Sequence, residues 1–266
     1  CDFSNLNLRN IYIFIMSAHT QTITITYGDH AENHRGMQII SQSENEMLAI
    51  PAMRGLTVAD LEKIGESLTV AEFSTELHRL DFICHPDRDN KLPDAAILII
   101  RGGVNKILKA ADLSADDMYD EQIALTPDKM VLNSDGRVVK KIARWNLCYA
   151  DWEQKADILN GRGTVILWSQ VPISNAIRRF ISILHPKFRH LVGEGNFYYK
   201  PESCGIRPHG DLERSVVVAA RLGAAMPLFY QWYNYGRPIY SEMRFNLEHG
   251  DMYIMSARAV GTDNAK

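Results

Sequence analysis

The feature that most constrains the fold is a train of short strand-like segments between residues 195 and 257, each closed by a turn. GNFYYK, SVVVAARLG, PLFYQWYNYG, RPIYSEMRFNLEHG and DMYIMSA alternate apolar with polar side chains or run apolar throughout. Strands at such short intervals, with turns between them, predict an antiparallel sandwich or barrel.

Ahead of this train the patterns are mixed. TITITYGD (22–29) alternates with period two into a Gly-Asp turn and reads as a strand. TVADLEKIGESL (57–68) opens on a threonine with Asp60 three residues on, and Val58, Leu61, Ile64 and Leu68 share one face. These are the marks of a capped amphipathic helix. AAILIIRGG (95–103) is a buried strand stopped by glycines, followed by a short helix in VNKILKAADL. GTVILWSQVPI (163–173) is strand-like, and ISNAIRRFISILHPKF (173–188) is a helix begun by Ser174 and closed before Pro186. The polar, turn-rich stretch 111–137 holds a loose boundary. The expected class is α+β, with an N-terminal extension (1–15), an α/β region (16–120) and a β-rich domain (121–266).

Charge and cysteines narrow the function classes. The 266 residues carry 29 Lys and Arg against 32 Asp and Glu, a net charge of -3. Bulk attraction to nucleic acid is therefore absent, and such binding would need a local basic patch. RVVKKIAR (137–144) and IRRFISILHPKFRH (177–190) offer one, although they read first as solvated faces. Cys1, Cys84, Cys148 and Cys204 lack CxxC spacing, which argues against a zinc finger or a disulfide framework and fits a reducing compartment. No apolar run approaches the about 20 residues of a membrane span. The expected location is intracellular, in cytoplasm or nucleus, or in a viral particle.

Chemistry concentrates in RPHGDLERSVVVAARLG (207–223). His209 and Asp211, at i and i+2 on an extended segment, point to the same side and can reach one ion. Imidazole plus carboxylate begins a 2-His-1-carboxylate triad, which leaves positions open on Fe(II). Alone, the tripeptide reads more simply as a turn-capping aspartate beside a rim histidine.

GNFYYK before it and FNLEHGDMYIMS after it complete the order N-x-Y, HxD, L-x-HGD. Over residues 137–263 this order resembles the AlkB-like family of Fe(II)/2-oxoglutarate dioxygenases, in the branch of large DNA viruses and microbial eukaryotes. The resemblance implies a double-stranded β-helix (jelly roll) with its metal at one open end. It implies His209 and Asp211 as iron ligands at the catalytic centre, and Asn196 and Tyr198 as hydrogen-bond partners of the 2-oxoglutarate carboxylates. Arg144 and Tyr149, in GRVVKKIARWNLCYAD (136–151), would belong to a lid over the substrate. His249 falls in the HGD turn, and the place of the distal histidine falls in AVGTDNAK, where Asp263 is the available third metal ligand. The strand bearing the family's co-substrate arginine would come after Lys266.

The expected activity is hydroxylation or demethylation of a nucleobase or a protein side chain, with Fe(II) and 2-oxoglutarate as cofactors. Nucleic acid or a protein is then the expected partner, and a membrane is not. The rival expectation keeps the fold and loses the chemistry: a catalytically impaired dioxygenase-fold protein serving as a binding or structural subunit of a larger assembly. A site holding Zn or Mn for structure alone lies between the two.

Other patterns weigh less. CHPDRD (84–89) sets Cys84 beside His85, which face opposite ways on a strand. His30 and His34 in YGDHAENHRG are at i and i+4, but the surrounding Gly, Asp and Asn predict a polar loop. RGGVNK (101–106) offers amides to a phosphate without a GK[ST] frame. LFYQWYNYG (228–236) sets Phe229, Gln231, Tyr233 and Tyr235 on one face and Tyr230, Trp232 and Asn234 on the other. Sheet packing is its default, and stacking on a flipped base its functional alternative.

Overall fold

A computed structural model describes residues 19–42, 55–81 and 93–261. In the first half the elements are β1 (Thr22–Gly28), β2 (Ala31–Glu32), β3 (Ile39–Ile40), α1 (Val58–Val70), β4 (Ser74–Arg79), β5 (Ala96–Arg101), α2 (Gly103–Leu108), α3 (Ala115–Ile123) and β6 (Met130–Leu132). In the second half they are β7 (Val138–Lys140), β8 (Trp145–Ala150), β9 (Val165–Leu167), α4 (Pro172–Leu184), β10 (Val192–Tyr198), β11 (Val217–Gly223), β12 (Met226–Asn234), β13 (Arg237–Leu247), β14 (Met252–Met255) and α5 (Ala257–Val260).

Eight strands form one sheet in the order β4-β5-β14-β11-β1-β10-β8-β9, antiparallel except for β8 with β9. The class is α+β. The alternation in TITITYG makes β1 the hinge of the design: Ile23, Ile25 and Tyr27 enter one core, while Thr22, Thr24 and Thr26 line the other side. This strand from the N-terminal region lies between β10 and β11, so residues 16–120 and 121–266 build one sheet together. Residues 1–15 lie outside the described residues, as do CHPDRD and Asp263.

One face of the sheet is covered by helices. Leu61, Ile64 and Leu68 of α1, Met118 of α3, and Ile177 and Ile181 of α4 pack on Ile23, Ile25, Leu98, Leu147, Val218 and Ile254. Each such side chain contributes roughly 1.5–3 kcal/mol when fully buried. The expected capping box on α1 forms: Thr57 accepts from the Asp60 amide, and the Asp60 carboxylate accepts from the Thr57 amide. Helix α4 departs from expectation at its start. It begins at Pro172 without a side-chain cap of its own, and Ser174 is buried inside it. The carboxylate of Glu121 in α3 instead accepts the amides of Ile173 (2.7 Å) and Ser174 (3.0 Å), a cap supplied by another helix. GTVILWSQVPI is strand only over Val165–Leu167 and then tightens into a turn that buries Trp168. Trp168 and Tyr149 can lie on β10 because Gly193 and Gly195 leave room, and a Cβ at either would come within 2.6 Å of these rings.

The opposite face is divided. Over β5, β14 and β11 it is apolar, and the β12–β13 hairpin closes it with Leu228, Tyr230, Trp232, Met243 and Phe245. The sequence set Tyr230 and Trp232 on one side of this strand and Phe229 and Tyr233 on the other; the first pair packs on the sheet and the second is exposed. Over β1, β10 and β8 the same face is polar. No described helix is long and apolar enough to cross a membrane. The RGG turn also differs from a phosphate loop: Gly102 donates its amide to Asp251 Oδ1 (2.9 Å) and Val104 donates its own to the Gly250 carbonyl (3.0 Å).

Candidate functional site

Strand register assembles the polar half of the face. Arg221 on β11 is opposite Thr24 on β1, Thr24 is opposite Asn196 on β10, and Asn196 is opposite Asn146 on β8. Four strands thus present one polar row. Along β10, Glu194 and Tyr198 flank Asn196 on the same side by the two-residue repeat.

The centre of this face is a charge network. Glu194 is 1% exposed and is held by Arg214 and by Arg144, whose Nη2 lies 3.4 Å from it. Arg144 also donates to Asn196 Oδ1, which accepts from Asn146 Nδ2 at 2.7 Å. Burial works against an ionised Glu194, but the two arginines outweigh it and hold the carboxyl below its ordinary value. Lys141 reaches Asn33 and Asn146, and burial lowers its ammonium to about 8. At the edge, burial and the nearby Glu213 raise Glu32 to about 7.

His209 and Asp211 sit at the rim of this network. Extended strand begins only at Val217, so the pair stands in a loop and not on β11. The loop is pinned from two sides. The Asp211 amide donates to the Val260 carbonyl of α5 (3.0 Å), and Asp29 accepts the amides of Ser215 and Val216 (both 2.9 Å). His209 Nε2 lies 3.5 Å from Asp211 Oδ1, and Arg214 Nε lies 3.2 Å from Asp211 Oδ2.

The tautomer of His209 follows from its other nitrogen. Nδ1 is 2.8 Å from the Arg207 carbonyl oxygen, which can only accept, so Nδ1 carries the proton. In the neutral ring the Nε2 lone pair then faces the carboxylate of Asp211. Burial opposes ionisation of Asp211, yet Arg214 and His209 outweigh it and keep the carboxyl below its usual range. A lone pair and a carboxylate facing each other need a cation between them, either a proton or a metal ion. The hydrogen bond to Asp211 accordingly raises the His209 pKa. A metal bound about 2.1 Å from each atom would span the same gap.

The other sequence-derived residues divide. Asn196 and Tyr198 lie on this face, and Arg144 reaches Asn196. Tyr149 faces the helix-covered core instead. It is fully buried there, stacks on Trp168 with centroids 5.3 Å apart and donates its hydroxyl to Gln122, so it does not lie over the polar face. Residue parity decides this, because Tyr149 stands one position from Cys148, whose side chain faces the other way. Asn146, Glu194, Arg214 and Arg221 were not foreseen. For Asn146, Glu194 and Arg221 the signal was a polar residue at a single position inside a largely apolar strand, while Arg214 lies in the loop before β11.

A second histidine–aspartate group lies on another part of the molecule. His19, Asp116 and His249 bring three ligand-type atoms within 4.8 Å of one another, a group of three that the His209–Asp211 pair does not reach among the described residues. The His249 ring is nevertheless set against a metal. The Gly223 amide donates to its Nδ1 (2.8 Å), which places the ring proton on Nε2, and that nitrogen lies 3.4 Å from Asp116 Oδ1 without a hydrogen bond to it. Burial lowers the His249 pKa and keeps the ring neutral. A metal would need the lone pair that this tautomer lacks.

No protein-family model matches the chain, and no solved structure matches it. Over 248 residues it is 35% identical to "Uncharacterized protein R156" of Acanthamoeba polyphaga mimivirus, an alignment that covers 93% of this chain and 92% of that protein.

Proposed function

We propose, for a chain that belongs to one family with protein R156 of Acanthamoeba polyphaga mimivirus, a metal-dependent oxygenase on a jelly-roll scaffold. The observation that carries this reading is His209: its Nδ1–H is fixed on a backbone carbonyl, and its Nε2 is turned to an ionised Asp211 3.5 Å away. Ligating histidines are oriented in this manner, with the second nitrogen donating to a backbone or carboxylate oxygen. The path of the chain supports the scaffold. β11 and β14 are neighbours in the large sheet, while β12 and β13 between them pair with each other and fold across its face, a path compatible with the winding of a jelly roll.

In this reading His209 and Asp211 hold the metal, and Asn196 and Tyr198 face a co-substrate on the same side of β10. Arg214 keeps Asp211 ionised, and Arg207 holds the imidazole in the ligating tautomer. Fe(II) with 2-oxoglutarate, which the sequence resemblance implies, would supply the oxidising chemistry. The substrate class is a nucleobase or a protein side chain. The viral relative supports a viral component as the setting.

One observation favours a second reading, a binding or structural subunit. Among the described residues His209 and Asp211 gain no third protein ligand. Anaerobic titration with Fe(II) and 2-oxoglutarate separates the two. Oxygenase chemistry requires a visible charge-transfer band that disappears in His209→Ala. Absence of metal binding, or binding that His209→Ala leaves unchanged, selects the subunit.

A further inference from the structure

We infer that Arg221 and Thr24 form a binding subsite for the carboxylate of a small organic acid. Arg221 is 4% exposed, its Nε is sealed from solvent, and among the described residues its side chain makes no hydrogen bond and no ion pair. The other guanidiniums of this region are paired. Arg214 lies against Glu194, Glu213 and Asp211, and Arg101 lies against Glu76 and Asp251. A guanidinium does not lose its proton, and an unpaired buried cation costs several kcal/mol. A fold that pairs the neighbouring Arg101, Arg144 and Arg214 and buries this one bare has left a place for an anion.

The neighbours of Arg221 are donors as well. Thr24 Oγ1, directly across the ladder, is buried without a partner. Tyr198 and Tyr253 stand close enough for the Arg221 charge to act on both, and burial holds both of them protonated. The result is a guanidinium fork with hydroxyl donors around it.

One fixed cation matches one negative charge. A phosphate, with charge near -2, would leave an uncompensated charge beneath the hairpin, whereas a carboxylate matches both the charge and the planar fork. The subsite lies beneath the hairpin and within the sheet, which limits its occupant to a small molecule. It stands whether or not His209 and Asp211 hold a metal.

The test uses the full chain in chelator, so that failure of the metal reading cannot affect it. Thermal unfolding and calorimetry are followed with acetate, succinate and 2-oxoglutarate, and with sulfate and phosphate as controls. A carboxylate is expected to raise Tm with dose, and the two inorganic anions are not. Arg221→Met is expected to abolish the shift while leaving the ligand-free protein at least as stable as the parent, because the variant removes an unpaired charge. Thr24→Val is expected to weaken the carboxylate Kd about tenfold. Should Arg221→Met misfold, Thr24→Val and Arg221→Lys decide in its place, with loss of affinity expected in both. A carboxylate shift that persists in these variants, a response to phosphate alone, or no response in the parent would each overturn the subsite.

Discussion

The His209–Asp211 pair and the His19–Asp116–His249 group draw on the same residue types and resemble each other in spacing. At His209 a carbonyl takes the Nδ1 proton and leaves the Nε2 lone pair facing a carboxylate. At His249 an amide takes the Nδ1 lone pair and leaves the proton on Nε2, 3.4 Å from a carboxylate. In the reading proposed above, three ligand-type atoms within 4.8 Å are the poorer metal site, and two at 3.5 Å the better one. The number of neighbouring ligands matters less than what the backbone does to the far nitrogen. The settings differ as well. Asp211 is backed by a buried arginine, whereas Asp116 is 69% exposed in its side chain.

The largest effect is expected in metal affinity. Isothermal titration with Mn(II) or Co(II) should show a loss of a hundredfold or more in His209→Ala, on the order of the most severe ligand-orienting losses. His249→Ala should bind as the parent does. Metal lost through His249→Ala and kept in His209→Ala would reverse the comparison.

Stability should follow the same contrast. Glu194→Ala leaves Arg214 and Arg144 without their shared buried carboxylate and should cost about 3–5 kcal/mol in urea unfolding. Asp116→Ala, at an exposed carboxylate, should cost under about 1 kcal/mol. Equal costs would mean that the polar face is solvated and gains nothing from its pairing.

The smallest effects are expected with pH, and the two regions should respond with opposite sign. The folded pKa of Glu32 is raised to about 7, so the native state binds its proton more tightly than the unfolded chain does. Its contribution to stability should grow as pH falls from about 7 and be complete below the ordinary carboxylate value. Glu32→Gln should remove that slope. His249 is shifted downward, so the unfolded chain binds the proton more tightly there. Stability tied to His249 is present above the ordinary imidazole value and should be lost as pH falls below it. His249→Gln should flatten that loss in chemical denaturation across the pH series.

The molecule was readable where neighbours in sequence decide the outcome. The capping box of α1, the alternation of β1 and the two faces of the hairpin are local: each depends on residues within one turn or one pleat. The approach of His209 to Asp211 was also readable, although the pair stands in a loop rather than on a strand. Tyr149 was harder, since a lid residue and a core residue differ there only in strand parity.

By itself the sequence determined α1, most strands of the large sheet, the α+β class and which side chains alternate, but not α3, which stands in the stretch read as turn-rich. Only the tertiary structure decided that β1 runs between β10 and β11, because strand pairing joins segments that no local pattern connects. Only it decided that Glu121 caps α4, that Arg207 and Gly223 set opposite tautomers, and that Arg221 is buried without a counter-charge. Each of these is a property of a partner, or of a missing one. In a low-dielectric interior the partner fixes where a proton or a charge can rest.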